Sequence, residues 1–163
     1  MNSPRPGIDI DAASAATAQA DAGAPPVQTE QALQQAALAV LEAEGAELVP
    51  ALTRYLATIL QVDMAVIGVV EGEGEPGDDD ERIVTTLGVF CDGDFGDDFS
   101  YPLHGTPCRT VLDGFRCYRS GLADMFPQAD FLRDAKIDSY AGYPLTTPDG
   151  RLIGLIAVLA RRP

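Results

Sequence analysis

Three cysteines, one histidine and a run of aspartates are the residues of this 163-residue chain whose types and spacing could do chemistry. Cys108 lies about two positions into a helix that Thr106 and Pro107 begin, Thr106 as N-cap and Pro107 as the first helical residue, where its missing N–H is no loss. Unpaired N–H groups and the helix dipole favour a thiolate at such a place, which is what a redox sensor or a sulfur nucleophile needs. The plainer reading is that Thr-Pro-Cys starts a helix and packs, because no second histidine or neighbouring cysteine stands ready to assist. The competing function is a thiol-dependent redox enzyme or redox sensor acting through Cys108 or Cys117. Asp92 to Asp98, DGDFGDD, resembles a calcium loop in its alternating oxygens, but the twelfth residue from Asp92 is Leu103 and not the glutamate that closes such a loop. Calcium is therefore set aside. His104 stands alone in a turn ahead of the Thr106 helix, the setting of a solvated side chain.

The elements that must position these residues follow from periodicity. Residues 1–28, rich in Ala, Pro, Gly, Ser and Asp, have no bulky apolar pattern and read as a disordered tail before a single domain over 29–163. Thr29 caps a first helix, alanine-rich on its apolar face, that runs to Gly45 and is a candidate dimerisation element. A second helix from Glu47 to Leu60 places Leu48, Leu52, Tyr55, Leu56, Ile59 and Leu60 at spacings of three and four, which predicts one buried stripe, with Pro50 tolerated in the first turn. Met64–Val70 and Ile83–Phe90 are β-branched runs expected to pair antiparallel across an exposed, acidic connection. Phe99–Leu103 is a short strand, the Thr106 helix ends at Asp113-Gly114, Phe115–Arg119 is a further strand, and Phe126–Ala135 holds a loop and short helix. Tyr140–Leu145 and Leu152–Leu159 form a hairpin about Pro148-Asp149-Gly150, which supplies a fixed φ, a local acceptor and a φ > 0 position. The second of these strands is almost wholly apolar, so it lies in a sheet covered on both faces. Strands joined mainly by hairpins, with one long crossover, give an α+β fold on an antiparallel sheet.

The formal charge of −14 argues against nucleic acid and anionic membrane as partners. From Glu71 to Asp98 eleven acids face one base, Arg82, whereas from Phe99 onward six acids meet eight bases, so the acidity belongs to two loops. That is a solvated surface. No stretch approaches the roughly 18 apolar residues of a membrane span, Met1 to Asp11 lacks the regions of a signal peptide, and three cysteines without a CxxC pair suit a reduced, cytoplasmic setting.

Val62-Asp63 with Ala65, Asp92-Gly93, Phe99, Tyr101, Leu103, Gly105-Thr106-Pro107-Cys108, Val111, Tyr118, Phe126-Pro127, Leu132, Ser139-Tyr140, Gly142, Pro144-Leu145, Asp149-Gly150 and Gly154 form an ordered pattern from Glu47 to Ala160. In that order the chain resembles the GAF domain family, of the type found in bacterial sensor histidine kinases and cyclic-di-nucleotide signalling proteins. The resemblance implies a profilin-like, six-stranded antiparallel sheet with helices on both sides. It implies a non-catalytic sensory or regulatory module of a two-component or related system, working by small-molecule binding, homodimerisation, or both, with its output on another domain or partner protein. The family's usual ligand position, between sheet and crossover, would be lined here by Phe90, Thr106, Cys108, Tyr118, Phe126, Phe131, Tyr140 and Tyr143, aromatics and hydroxyls that suit a flat or amphipathic metabolite. Haem, held by histidine in some relatives, would have only His104. Bilin attachment uses a cysteine usually followed by histidine, but Arg109 follows Cys108. The cyclic-nucleotide signature is missing, and the three cysteines do not align with the motif of the methionine-sulfoxide reductases built on this fold.

Overall fold

The computed structural model describes residues 41–72 and 82–163, together with positions 31, 34, 35 and 38. The expected tail, most of the helix from Thr29 and nearly all of the acidic connection after Glu71 lie outside the described residues.

A 3₁₀ turn at Gly45–Glu47 leads into α1, Leu48–Leu60, which stops at Gln61 in the left-handed region with φ 52°. The buried positions of α1 are Ala51, Thr53 and Ala57, while Leu48, Ile59 and Leu60 are exposed, so the expected leucine stripe is not the buried face. The cause lies in the strand beneath. A Cβ on Gly88 would stand 3.1 Å from Val49 Cγ1 and 3.2 Å from Thr53 Cγ2, so the helix rests on backbone with only small side chains between.

The sheet comprises β1 (Met64–Glu71), β2 (Ile83–Cys91), β3 (Asp94–Phe95), β4 (Ser100–Pro102), β5 (Arg116–Tyr118), β6 (Ser139–Thr146) and β7 (Leu152–Ala160). All pairs are antiparallel, in the order β3-β2-β1-β7-β6-β5, with β4 also on β2. The count is seven and not six, because Asp94-Phe95, within the supposed loop, folds back to pair with Cys91 and Phe90. Between β4 and β5 the chain crosses the sheet through α2 (Pro107–Val111), and between β5 and β6 it adds α3 (Leu122–Met125) and α4 (Asp130–Asp134). The first of that pair is a helix the sequence pattern did not indicate.

Two cores result. On the crossover face, Val84, Leu103, Val111, Leu122, Leu132, Tyr140, Leu155 and Leu159 are buried together. Each fully buried leucine contributes roughly 1.5–3 kcal/mol relative to exposure. On the α1 face, Ala57, Ala65 and Val158 pack with Leu56 and Phe90. β7 is thus covered on both faces, as its apolar run requires. The β6–β7 turn has the expected chemistry: Thr147 N–H donates to the Arg151 carbonyl at 2.9 Å and Gly150 takes φ 86°.

Candidate functional site

The crossover carries the residues with chemical potential to the sheet. Thr106 has the extended backbone of an N-cap, but its hydroxyl donates backwards to the Leu103 carbonyl at 2.7 Å instead of accepting from the helix. This anchors the start of α2 to the end of β4, and Pro107 then occupies the first helical position. Cys108, one residue on, points inward and is buried.

Two phenols close over the Cys108 sulfur. Tyr101 on β4 donates its O–H to Sγ at 3.2 Å, and Tyr140 on β6 does so at 3.4 Å. Burial pushes the Cys108 thiol up, opposed by these two hydrogen bonds. The same desolvation, with the thiol as neighbour, lifts both phenols well above the ordinary tyrosine range. All three groups are therefore protonated at neutral pH, and the cluster is neutral. The thiolate that a helix start could favour does not form, because α2 has only five residues and its dipole is outweighed by loss of water around sulfur, and Thr-Pro-Cys starts a helix and packs.

Beside this cluster Tyr118 on β5 donates to Thr110 Oγ1 at 3.0 Å, and Thr110 donates to the Pro107 carbonyl at 2.7 Å. The Tyr118 ring meets Phe126 edge-on at 5.4 Å and stands 6.2 Å from Tyr140. Gly142 is required here: a Cβ on it would collide with the Tyr140 hydroxyl and with Val111 Cγ2. The tyrosine thus lies across its own strand and fills the space between sheet and α2.

Of the eight residues expected to line this interior, Thr106, Cys108, Tyr118, Phe126 and Tyr140 come together. Phe131 is on the exposed side of α4, whose inward residue is Leu132. Tyr143 belongs to the opposite sheet face and is 60% exposed, because strand alternation turns it away from Tyr140. Phe90 is also on the opposite face, packed edge-on against Phe95 at 5.2 Å. A β-bulge explains it. Ile67 pairs with Gly88 but Gly68 pairs with Thr86, so Leu87 is an extra residue and the strand changes phase between Val84, which faces the crossover, and Phe90. The residue missed was Tyr101. Its alternation with Leu103 in a short strand just before Thr106-Pro107-Cys108 was the signal that could have found it.

The remaining candidates are accounted for by local partners. Asp92, in the left-handed region with φ 53°, takes a two-pronged bond from Arg161 at 2.6 and 2.9 Å. The Arg161 backbone N–H donates to Asp63 at 2.7 Å and its Nε–H to the Ala135 carbonyl at 2.9 Å. Asp98 accepts from the Thr86 hydroxyl at 3.1 Å. Among the described residues no group of three His, Cys, Asp or Glu side chains is arranged to hold a metal ion, and no helix is long and apolar enough to cross a membrane. Cys117 is exposed on β5, and His104 is exposed in its turn.

Residues 44–163 match the model of the GAF domain family, and the chain belongs to that family. Solved structures agree on the fold. The chromophore-binding domain of Stigmatella aurantiaca phytochrome P1 superposes with TM-score 0.54 at 15% identity over 85% of this chain, which spans 53% of that one. The GAF domain of an Acinetobacter phosphoenolpyruvate-protein phosphotransferase gives 0.53 at 11% identity, with 83% and 78% covered. A GAF domain of A. aeolicus nlh2 in an inactive state gives 0.52 at 11%, with 82% and 79% covered. The matched part of this chain thus spans about half the length of the phytochrome domain. No curated protein matches. GAF domains are sensory and regulatory modules of signalling proteins and are generally non-catalytic.

Proposed function

We propose that this chain is a non-catalytic sensory module of bacterial signal transduction that binds a small molecule on the crossover side of the sheet, forms a homodimer, or both, and passes the change to an output domain or partner protein. The observation that carries the reading is the neutral cluster of Tyr101, Cys108 and Tyr140. The one thiol at a helix start is buried and protonated under two phenols, which suits a packed recognition surface and not a nucleophile. Thr106, Tyr118 and Phe126 extend that surface with hydroxyl and aromatic groups, the chemistry of an amphipathic ligand site.

The cytoplasm is the setting in which three free cysteines stay reduced. A homodimer is the proposed assembly, through the helix from Thr29 to Glu44 bundled with α1. Leu48, Leu52, Tyr55 and Ile59 recur at four, three and four on the side of α1 opposite Thr53 and Ala57, a seam of coiled-coil spacing. Native mass spectrometry of freshly purified protein tests the ligand: a co-purified small molecule that leaves on unfolding is expected. Protein that carries no added mass and shows no thermal shift with any metabolite would contradict it, leaving a domain that only dimerises.

A further inference from the structure

β5 ends the sheet, and among the described residues no strand or loop other than β6 lends it a backbone hydrogen bond. Its outer edge is therefore open to another strand. The opposite end of the sheet, β3 with Asp94, Asp97 and Asp98 close by, lies in the acidic part of the chain, whereas β5 belongs to the part in which eight bases outnumber six acids. Two copies of a chain of net charge −14 thus repel least where their β5 edges meet. Strand alternation sends Phe115, Cys117 and Arg119 to the α1 side of the sheet, the side of Ala141, and all three are exposed. The β5–β6 register, carried one residue beyond Arg116 and Gly142, sets Phe115 opposite Tyr143. These rings are 58% and 60% exposed, so two large aromatic groups stand open at one end of the edge. At its other end Arg119 makes no hydrogen bond or ion pair with a described residue.

An edge with open rings at one end and a free cation at the other is complementary to itself under a two-fold axis. With that axis at Cys117, antiparallel pairing sets Cys117 opposite Cys117, Arg116 opposite Tyr118 and Phe115 opposite Arg119. No like charges then face each other directly, and each Arg119 lies against Phe115 and beside Tyr143 of the other copy, a cation on aromatic faces. We propose that β5 is a docking edge for the β5 of a second copy, in this register, joining two sheets into one. A strand of three residues with its flanks buries little surface, so the contact is of the weak and transient class. It is separate from the α1 seam and does not depend on it.

The test uses the full chain. In the reduced protein, amide hydrogen exchange over Phe115–Arg119 should slow as concentration rises from about 10 μM to about 1 mM. Arg119→Gln loses the cation–ring contact on both sides of the axis and should shift that concentration dependence by about fivefold to thirtyfold. Register is read by exchange with glutathione disulfide, in which each Cys117–Cys117 link formed releases two reduced glutathiones. Directly opposed cysteines have Cα atoms about 4.5–5.5 Å apart, within the span of a disulfide, so the wild type should cross-link through Cys117. Cys117→Ser combined with Arg119→Cys puts the edge thiols about 13 Å apart along the strands and should not cross-link. Equal cross-linking by the two chains, or exchange over β5 that does not change with concentration, would overturn the assignment. Concentration-dependent protection confined to α1 would overturn it as well, and would leave the helical dimer standing alone.

Discussion

At the residue scale the decisive competition is between a helix start and a dry interior. A thiol near unpaired helical N–H groups tends toward the thiolate, yet Cys108 is inside, and desolvation disfavours its charged form by more than the local dipoles favour it. The tyrosines respond in the same sense: as neutral donors to sulfur they are satisfied, whereas ionised they would be buried charges, which desolvation disfavours. Tyr140→Phe removes one O–H···S bond without opening a cavity and should lower stability by about 0.5–1.5 kcal/mol in denaturant unfolding. Tyr140→Ala empties the space over Gly142 and should cost about 3–5 kcal/mol. Equal losses for the two would show that the ring does not fill the interior.

At the element scale, one bulge and one close approach decide which side chains meet. The extra residue Leu87 sends Phe90 to the α1 face, and Gly88 lets α1 settle onto β2. Gly88→Leu should therefore cost about 1–3 kcal/mol through overpacking against Val49 and Thr53, measurable as a lowered melting temperature. A second element-level device is the Arg161 bond to Asp92, which ties the end of β7 to the β2–β3 turn. The Arg161 guanidinium holds the Asp92 carboxyl below the usual carboxylate range. Its folded value thus lies below its unfolded one, so the pair stabilises the fold above the ordinary carboxylate range and loses that contribution as pH falls through the lowered value. Wild type should melt higher than Arg161→Ala at neutral pH, and the gap should narrow in acid to what the Arg161 bond to the Ala135 carbonyl leaves; a gap as wide in acid as at neutral pH would contradict the linkage.

These same features mark how far the sequence could be read. The long apolar strands, the Pro148-Asp149-Gly150 turn and the Thr106-Pro107 helix start were legible because local chemistry and burial point the same way. The face of Phe90 was not, since a bulge is set by the pairing of two strands distant in sequence and leaves the apolar pattern of either unchanged. The buried face of α1 was misread for a related reason: leucine spacing reports a helical stripe, but how near the helix lies to the sheet is fixed by a glycine on another element. Asp94-Phe95 looked like loop because what pairs it is the edge of β2, a partner that two residues of sequence do not report.

At the scale of the whole molecule, the domain joins an acidic surface to a neutral interior. The proposed dimer should give about twice the 17.2 kDa chain mass by light scattering at tens of micromolar, and a monomeric mass there would contradict it. The central claim, that the module works by binding or dimerisation and not by sulfur chemistry, is tested most directly by site-resolved thiol labelling of the native protein from about pH 6 to about pH 9. Cys117 should be labelled throughout, while Cys108 remains unmodified until the chain unfolds. Native-state labelling of Cys108 faster than Cys117 at neutral pH would contradict the claim and restore the thiol as a reactive group.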